Sequence, residues 1–482
     1  MKQPYRDLFF ICATEMGERF SFYMVRNILV LYMVKVFLLS NSKAYATFAT
    51  FTALLYFTPL MGGYLADRWL TTKDSILIGG ILLSMGYFFL AQSQHSFFYF
   101  GLGILIVGCG FFMPNIAKAV GHLYDENNSQ RENGFTLFYI AIQVGAVIPP
   151  LFTAWMIFKL GWSSAFLFSC SIILLSTILF YFTYPQNDKF TFSISKFIFL
   201  SIGIVLTVIG FTFFVKKPAL ANIAFGLLSG LFIFYAIKKS FDFSVAQRNR
   251  LLVAHVLTAF SILFWMLYEQ VGMSLTIFTE YNVDRSFGSG SIPTISFFVL
   301  NPFFIILLGP LIGKLWIWLD KYNLNPSIPA KFSYGTILMG LGFLILPLAI
   351  NLFSFKGQIN LYWIVTCYFL QSMGELFISP VGLAMIIELS PRTMHGLMMG
   401  VWYFATATAN ILAGFASQWT TISSPSGTNT PIIASQQYAH VYSLLGLLAI
   451  SAGLSIFIFT PRLRNMMLSM PAREVVNSNA VA

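Results

Sequence analysis

Glu15, Glu18, Arg19, Phe22, Tyr23 and Arg26 occupy offsets 0, 3, 4, 7, 8 and 11 in the stretch ATEMGERFSFYMVRNILVLYMV. That spacing sets them on one stripe of a 3.6-residue helix. Glu15 and Arg19 are an i,i+4 acid–base pair in the favourable order. Two carboxylates beside one guanidinium leave a negative charge to share, and such a group can take up a proton as its surroundings change. The competing reading is a self-neutralising stripe that only fastens the helix to its neighbours. The apolar setting makes either arrangement expensive. On an insertion scale a central Arg, Lys or Asp costs about 2.5–3.5 kcal/mol, so four such charges cost roughly 10–14 kcal/mol. The Leu, Ile, Phe and Val side chains between Leu8 and Leu39 offset only about 5–10 kcal/mol. Such a helix must face a wet cavity or partner charges.

Other apolar runs carry further groups of this kind. FWMLYEQVG sets Trp265 and Glu269 four residues apart, and SMGELFISPVGLAM does the same for Glu375 and Ser379, with Pro380 predicting a kink. MMGVWYFATATAN puts Trp402 and Thr406 on one face, and LNPFF places Asn301 before Pro302. Carboxylates inside membrane segments are functional candidates by default. Tryptophans there serve packing or the interface more often than a binding site. Lys118 and His122 share a face near the inner end of their span, where a lysine can snorkel to the interface. Cys12, Cys109, Cys170 and Cys367 lie singly in apolar runs, with neither disulfide nor C-x-x-C metal spacing. No metal site is expected.

The elements that must position these groups follow from hydropathy. The chain has 482 residues, 57% hydrophobic and only 9% charged, whereas a soluble domain averages about 25% charged. Apolar runs long enough to span a bilayer lie near 8–38, 47–66, 75–93, 97–123, 134–158 and 164–184. Another six lie near 248–281, 292–318, 332–351, 358–388, 394–421 and 438–460. Two more, near 197–215 and 219–237, are joined by the turn KKPA. The expected class is an all-α membrane protein with fourteen spans arranged six, two and six. The expected domains are 1–186, a linker with two additional spans over 187–247, a second bundle over 248–462 and a tail over 463–482. TPLMGGYLADRW and GPLIGKLWIWLDK share P-L-x-G at equivalent points of the two halves, which suggests duplicated bundles with a site between them.

Net charge is +11, and its distribution argues against a nucleic-acid partner. With the amino terminus inside, about eighteen Lys and Arg fall in cytoplasmic segments and about six outside, a bias that predicts both termini in the cytoplasm. Glu15, Glu18 and Arg19 interrupt any signal-peptide core. H-E-x-x-H, G-x-S-x-G and the phosphate-binding G-x-x-x-x-G-K are all missing, and SNSK at 40–43 matches S-x-x-K without its partner motifs. An enzyme is not expected.

Glu15-x-x-Glu18-Arg19-Phe20-Ser21-Phe22-Tyr23 resembles the E-x-x-E-R-F-x-Y-Y signature of the proton-dependent oligopeptide transporter family, within the major facilitator superfamily. GGYLADRWLTTKDSILIGGIL, GFTLFYIAIQVGA, FWMLYEQVGMSL and GELFISPVGLAM resemble further stretches of the family in order, covering nearly the whole chain. The resemblance implies a major facilitator fold of two six-helix bundles with two extra central helices. It implies a proton-coupled symporter that imports di- and tripeptides by alternating access in the cell inner membrane, as a monomer, with the proton as coupling ion and no cofactor. By position, Arg26 would bind the peptide carboxylate and pair with Glu269 as a gate, and Glu375 would bind the amino group. Tyr23, Asn301, Trp265 and Trp402 would line side-chain pockets, with Ser379 and Thr406 on the same faces as Glu375 and Trp402. Glu15, Glu18, Arg19 and Glu269 would couple to protons.

Three positions depart from the family pattern. Met113 stands where a lysine usually precedes Pro-Asn in the fourth span, and Lys118 is turned roughly 140° away from it. Gln143 replaces the usual Asn that would touch the peptide backbone, and Phe22 replaces the first signature Tyr. A same-fold carrier of amino acids, modified peptides or another amphiphilic anion, with altered or absent coupling, is the alternative expectation.

Overall fold

In a bilayer every backbone N–H and C=O must be satisfied within the segment, so apolar runs of this length fold as helices. The computed structural model describes residues 3–124, 130–184, 194–421 and 431–468. The expected boundary at 186/187 and the tail from 469 onward lie outside the described residues. The helices are α1 (Gln3–Arg26), α2 (Leu29–Lys35), α3 (Asn41–Trp69), α4 (Thr72–Ala91), α5 (His95–Gly121), α6 (Gln130–Leu160), α7 (Trp162–Thr183) and α8 (Ile194–Lys216). There follow α9 (Pro218–Ser240), α10 (Val245–Tyr268), α11 (Ser274–Asn282), α12 (Leu300–Lys321), α13 (Ile328–Phe353), α14 (Leu361–Leu389), α15 (His395–Gln418) and α16 (Pro431–Leu468). Side-chain caps start several of them: Ser40 Oγ accepts from Lys43 N, Thr71 Oγ1 from Asp74 N, and Ser244 Oγ from Gln247 N.

Thirteen helical stretches among the described residues are long and apolar enough to cross a membrane. α1 is not among them, because Glu15, Glu18 and Arg19 lower its hydropathy. Two spans read as continuous from the sequence are broken. The first is interrupted after Arg26, where Asn27 N still reaches Tyr23 O but Ile28 N bonds only three residues back, to Val25 O. The span read as 248–281 is interrupted by a 3-10 turn at Glu269–Gly272, with Met273 outside the helical region at φ −124°, ψ −102°. Neither break carries a proline, the usual sequence mark of one.

The chain divides into two compact units: residues up to Asn222 with Gly290–Pro302, and Ile223–Ser289 with the residues from Phe303 on. In the first unit α5 is central, 78% of its apolar window being buried, and it packs on α3, α4 and α8. α1 lies against α6 and α7. Small polar groups fasten it to α7: the Ser21 hydroxyl lies 3.0 Å from both Gly17 O and Ser169 O. In the second unit α13 packs on α14 and α16, and α10 on α15. From Ile223 onward α9 belongs to this unit, with Phe232 stacked 4.5 Å from Phe404 and Ser240 Oγ 3.1 Å from His255 Nε2. α8 and α9, like the span that contains α12, are only 22% buried in their apolar windows. Two short parallel strands, β1 (Val283–Asp284) and β2 (Ile359–Asn360), pair within the second unit.

Candidate functional site

In the first unit α1 buries its charged stripe. Glu15 is 4% exposed, Glu18 0%, Arg19 6% and Arg26 8%. Arg19 Nε lies 3.1 Å from Glu15 Oε1 and 2.5 Å from Glu18 Oε2, and its guanidinium carbon is 5.3 Å from the Phe22 ring centre. Glu15 Oε2, Glu18 Oε1 and Arg19 Nη2 are buried without a hydrogen-bond partner among the described residues. Such orphaned atoms are costly. Glycine makes room for it: a Cβ on Gly145 of α6 would stand 2.7 Å from Met16 O and 2.9 Å from Arg19 Cβ. Only a residue without a side chain lets α6 come so close to α1 at Arg19.

Glu18 and Arg26 line one small cavity of about 10 Å³, together with Phe22 of α1, Phe51 of α3, Tyr87 of α4 and Cys109 of α5. Arg26 also lies over the Phe48 ring at 5.8 Å. Tyr23 is half-buried, edge-to-face with Phe22. One turn along α5 from Cys109, the Met113 thioether accepts a contact from the Cys109 thiol, so the position where the family pattern has a lysine holds an uncharged thioether packed on a thiol. Lys118 is exposed. Gln143 on α6 and Asn301 at the start of α12 are half-buried.

In the second unit Glu269 is the first residue of the 3-10 turn and is 2% exposed. Trp265, one turn earlier on α10, packs edge-to-face on Phe264 and Tyr268, each ring centre 5.3 Å away. Glu375 and Ser379 are half-buried on α14, with Pro380 at an exposed position beyond them. Trp402 of α15 is 5% exposed. Its six-membered ring occupies the place a Cβ on Gly382 of α14 would need, so that glycine admits the indole. The Thr406 hydroxyl donates to Trp402 O at 3.1 Å, within its own helix. Among the described residues no group of three His, Cys, Asp or Glu could hold a metal ion.

The structure thus gathers Glu15, Glu18 and Arg19 into one ion cluster and joins it to Arg26 through a common cavity. Tyr23, Gln143 and Asn301 belong to the same unit, while Trp265, Glu269, Glu375, Ser379, Trp402 and Thr406 belong to the other. Sequence reasoning missed Tyr87 and Cys109 as walls of the Glu18 cavity, because only helix packing brings them there. It also passed over Gln270, which directly follows Glu269.

Thirteen helical stretches long and apolar enough to cross a membrane among the described residues, with a buried acid–base cluster in α1 and a buried carboxylate in a broken span, fit a polytopic membrane transporter of the major facilitator type. Residues 73–433 match the sequence model of the POT family. The chain is 31% identical over 489 aligned residues to a dipeptide and tripeptide permease A of Cronobacter turicensis, covering 99% of this chain and 97% of that protein. It is 30% identical to the Escherichia coli permease of the same name, over 96% and 94% of the two chains. A solved structure described as giving insight into substrate recognition in proton dependent oligopeptide transporters superposes with a TM-score of 0.83 at 26% identity, covering 96% of this chain and all of that one. The chain belongs to the POT family, a family of transporters and not of enzymes.

Proposed function

We propose that this chain imports di- and tripeptides together with protons across the cytoplasmic (inner) membrane by alternating access, as a monomer with both termini in the cytoplasm. The observation that carries the reading is the buried Glu15–Glu18–Arg19 cluster sharing a cavity wall with Arg26. Two carboxylates and one guanidinium hold a net negative charge in a site that excludes water, and one added proton neutralises it. Burying unpaired charge costs several kcal/mol, so proton arrival changes which ion pairs are stable. That is the requirement for coupling a proton to a gate.

A peptide is a zwitterion and needs a fixed cation and a fixed anion. Arg26 supplies the cation for its carboxylate, and Glu375, half-buried on α14, supplies the anion for its amino group. Tyr23, Gln143, Asn301, Trp265, Ser379, Trp402 and Thr406 contact the backbone and side chains of the cargo. Glu269 competes with the cargo for Arg26 and, with Glu15, Glu18 and Arg19, takes part in proton coupling. Each inward positive charge gains about 2.3 kcal/mol per 100 mV of membrane potential, which adds to the driving force. The names of the related permeases support the same cargo.

The test is uptake of labelled dialanine into proteoliposomes with and without an imposed inward proton gradient. Accumulation above equilibrium only with the gradient is the expected result, and equal accumulation in both conditions refutes coupling. The contact between Cys109 and Met113 supports a second reading, in which the absent lysine charge leaves the carrier loosely coupled or selects another amphiphilic anion. Thermal-shift screening against peptide and non-peptide ligands separates the two.

A further inference from the structure

The break between α10 and α11 is held by one amide. Gln270 is 0% exposed, as are Ser274, Ser417 and Tyr442 around it. Its Nε2 donates to Met266 O at 3.2 Å and to Ala413 O of α15 at 3.0 Å. Its Oε1 accepts from Ser274 Oγ at 2.5 Å and from Ser417 Oγ at 2.7 Å. Tyr442 of α16 extends the chain by donating to Ser274 Oγ at 3.2 Å. A primary amide has two donors and two acceptor lone pairs, and all four are used here. Flipping the amide would set its oxygen against the Met266 and Ala413 carbonyls, acceptor against acceptor, so its orientation is unique.

The amide also answers for broken backbone. Where the helix stops, carbonyls lose their i+4 partners, and Gln270 caps Met266 O on one side of the break while Ser274 opens α11 on the other. The bonds to Ala413 and Ser417 then tie the break to a single turn of α15. Glu269 is the residue immediately before this pin.

We propose that Gln270 is a positioning residue for Glu269: its saturated amide locks the 3-10 turn to α15, so the carboxylate keeps one direction through the transport cycle. The inference rests on the functional reading of Glu269. It assigns Gln270 no contact with the cargo, which separates it from a binding residue.

Gln270→Met keeps length and volume and removes all four hydrogen bonds. Reconstituted at equal folded amount, it is expected to lower the maximal rate of proton-driven dialanine uptake roughly fivefold or more, with KM within about twofold of the unmodified protein. Ser417→Ala deletes one of the four bonds and gives a smaller loss of the same kind, which keeps the test open if the Gln270→Met protein folds poorly. The deciding measurement repeats both changes in a Glu269→Gln background. A positioning residue has nothing left to aim there, so its replacement should change the residual rate less than about twofold. The same fold-loss in both backgrounds, or an unimpaired Gln270→Met protein, overturns the proposal. A Glu269→Gln protein that transports normally removes Glu269 from the mechanism, and that failure is visible in the single variant alone.

Discussion

Replacing Arg19 with methionine removes the cation from the α1 cluster while keeping most of the side chain's volume. Glu15 and Glu18 then stay buried, 4% and 0% exposed, with nothing opposite them at 3.1 and 2.5 Å. Breaking a buried pair by deleting one partner costs about 3–5 kcal/mol, whereas losing an exposed pair costs about 0.2–1 kcal/mol. At about 2 °C or somewhat less per kcal/mol for a chain of this size, the first case lowers the melting temperature in detergent by about 5–10 °C and the second by about 2 °C at most. Charge repair sharpens the test. Arg19→Met combined with Glu18→Gln leaves one carboxylate in place of two and should recover several degrees, while dialanine uptake stays lost in both. A single variant that melts with the unmodified protein, or a double variant less stable than the single, would refute the burial-and-pairing argument.

Other outcomes follow from the same geometry. Met113→Lys places an ammonium one turn from Cys109, a wall of the Glu18 cavity, and should alter the dependence of uptake on the proton gradient; an unchanged dependence would show that the missing charge is irrelevant. Glu375→Gln should raise KM for free dipeptides about tenfold or more, as expected for a lost charge-assisted hydrogen bond, yet leave N-acetylated peptides nearly unaffected in competition assays. Gly145→Leu forces a side chain against Met16 O and Arg19 and should cost about 1–3 kcal/mol by overpacking, read as a lowered melting temperature.

The sequence is informative where the signal is local. The offsets of Glu15, Glu18 and Arg19 place them together because one helix carries all three, and each span is legible because lipid leaves the backbone no alternative. The breaks after Arg26 and at Glu269–Gly272 are not legible, since neither has a proline and the polar partners that hold the second come from α15 and α16. The cavity beside Glu18 is likewise invisible beforehand, because Phe51, Tyr87 and Cys109 sit on three different helices. Thr406 shows the converse: spacing puts it on the Trp402 face, but its hydroxyl donates to a carbonyl of its own helix, an option open to any helical threonine.

Because α1 stops at Arg26, that guanidinium stands in the last turn of a 24-residue helix, where the peptide dipoles end in partial negative charge. The backbone itself therefore favours a cation there by about 0.3–1 kcal/mol and disfavours an anion by a similar amount. Polarity at this end of the cavity is written into the main chain as well as the side chain. What the negative end of the first helix steadies is the Arg26 guanidinium itself, a buried cation whose charge the main chain helps to keep in place.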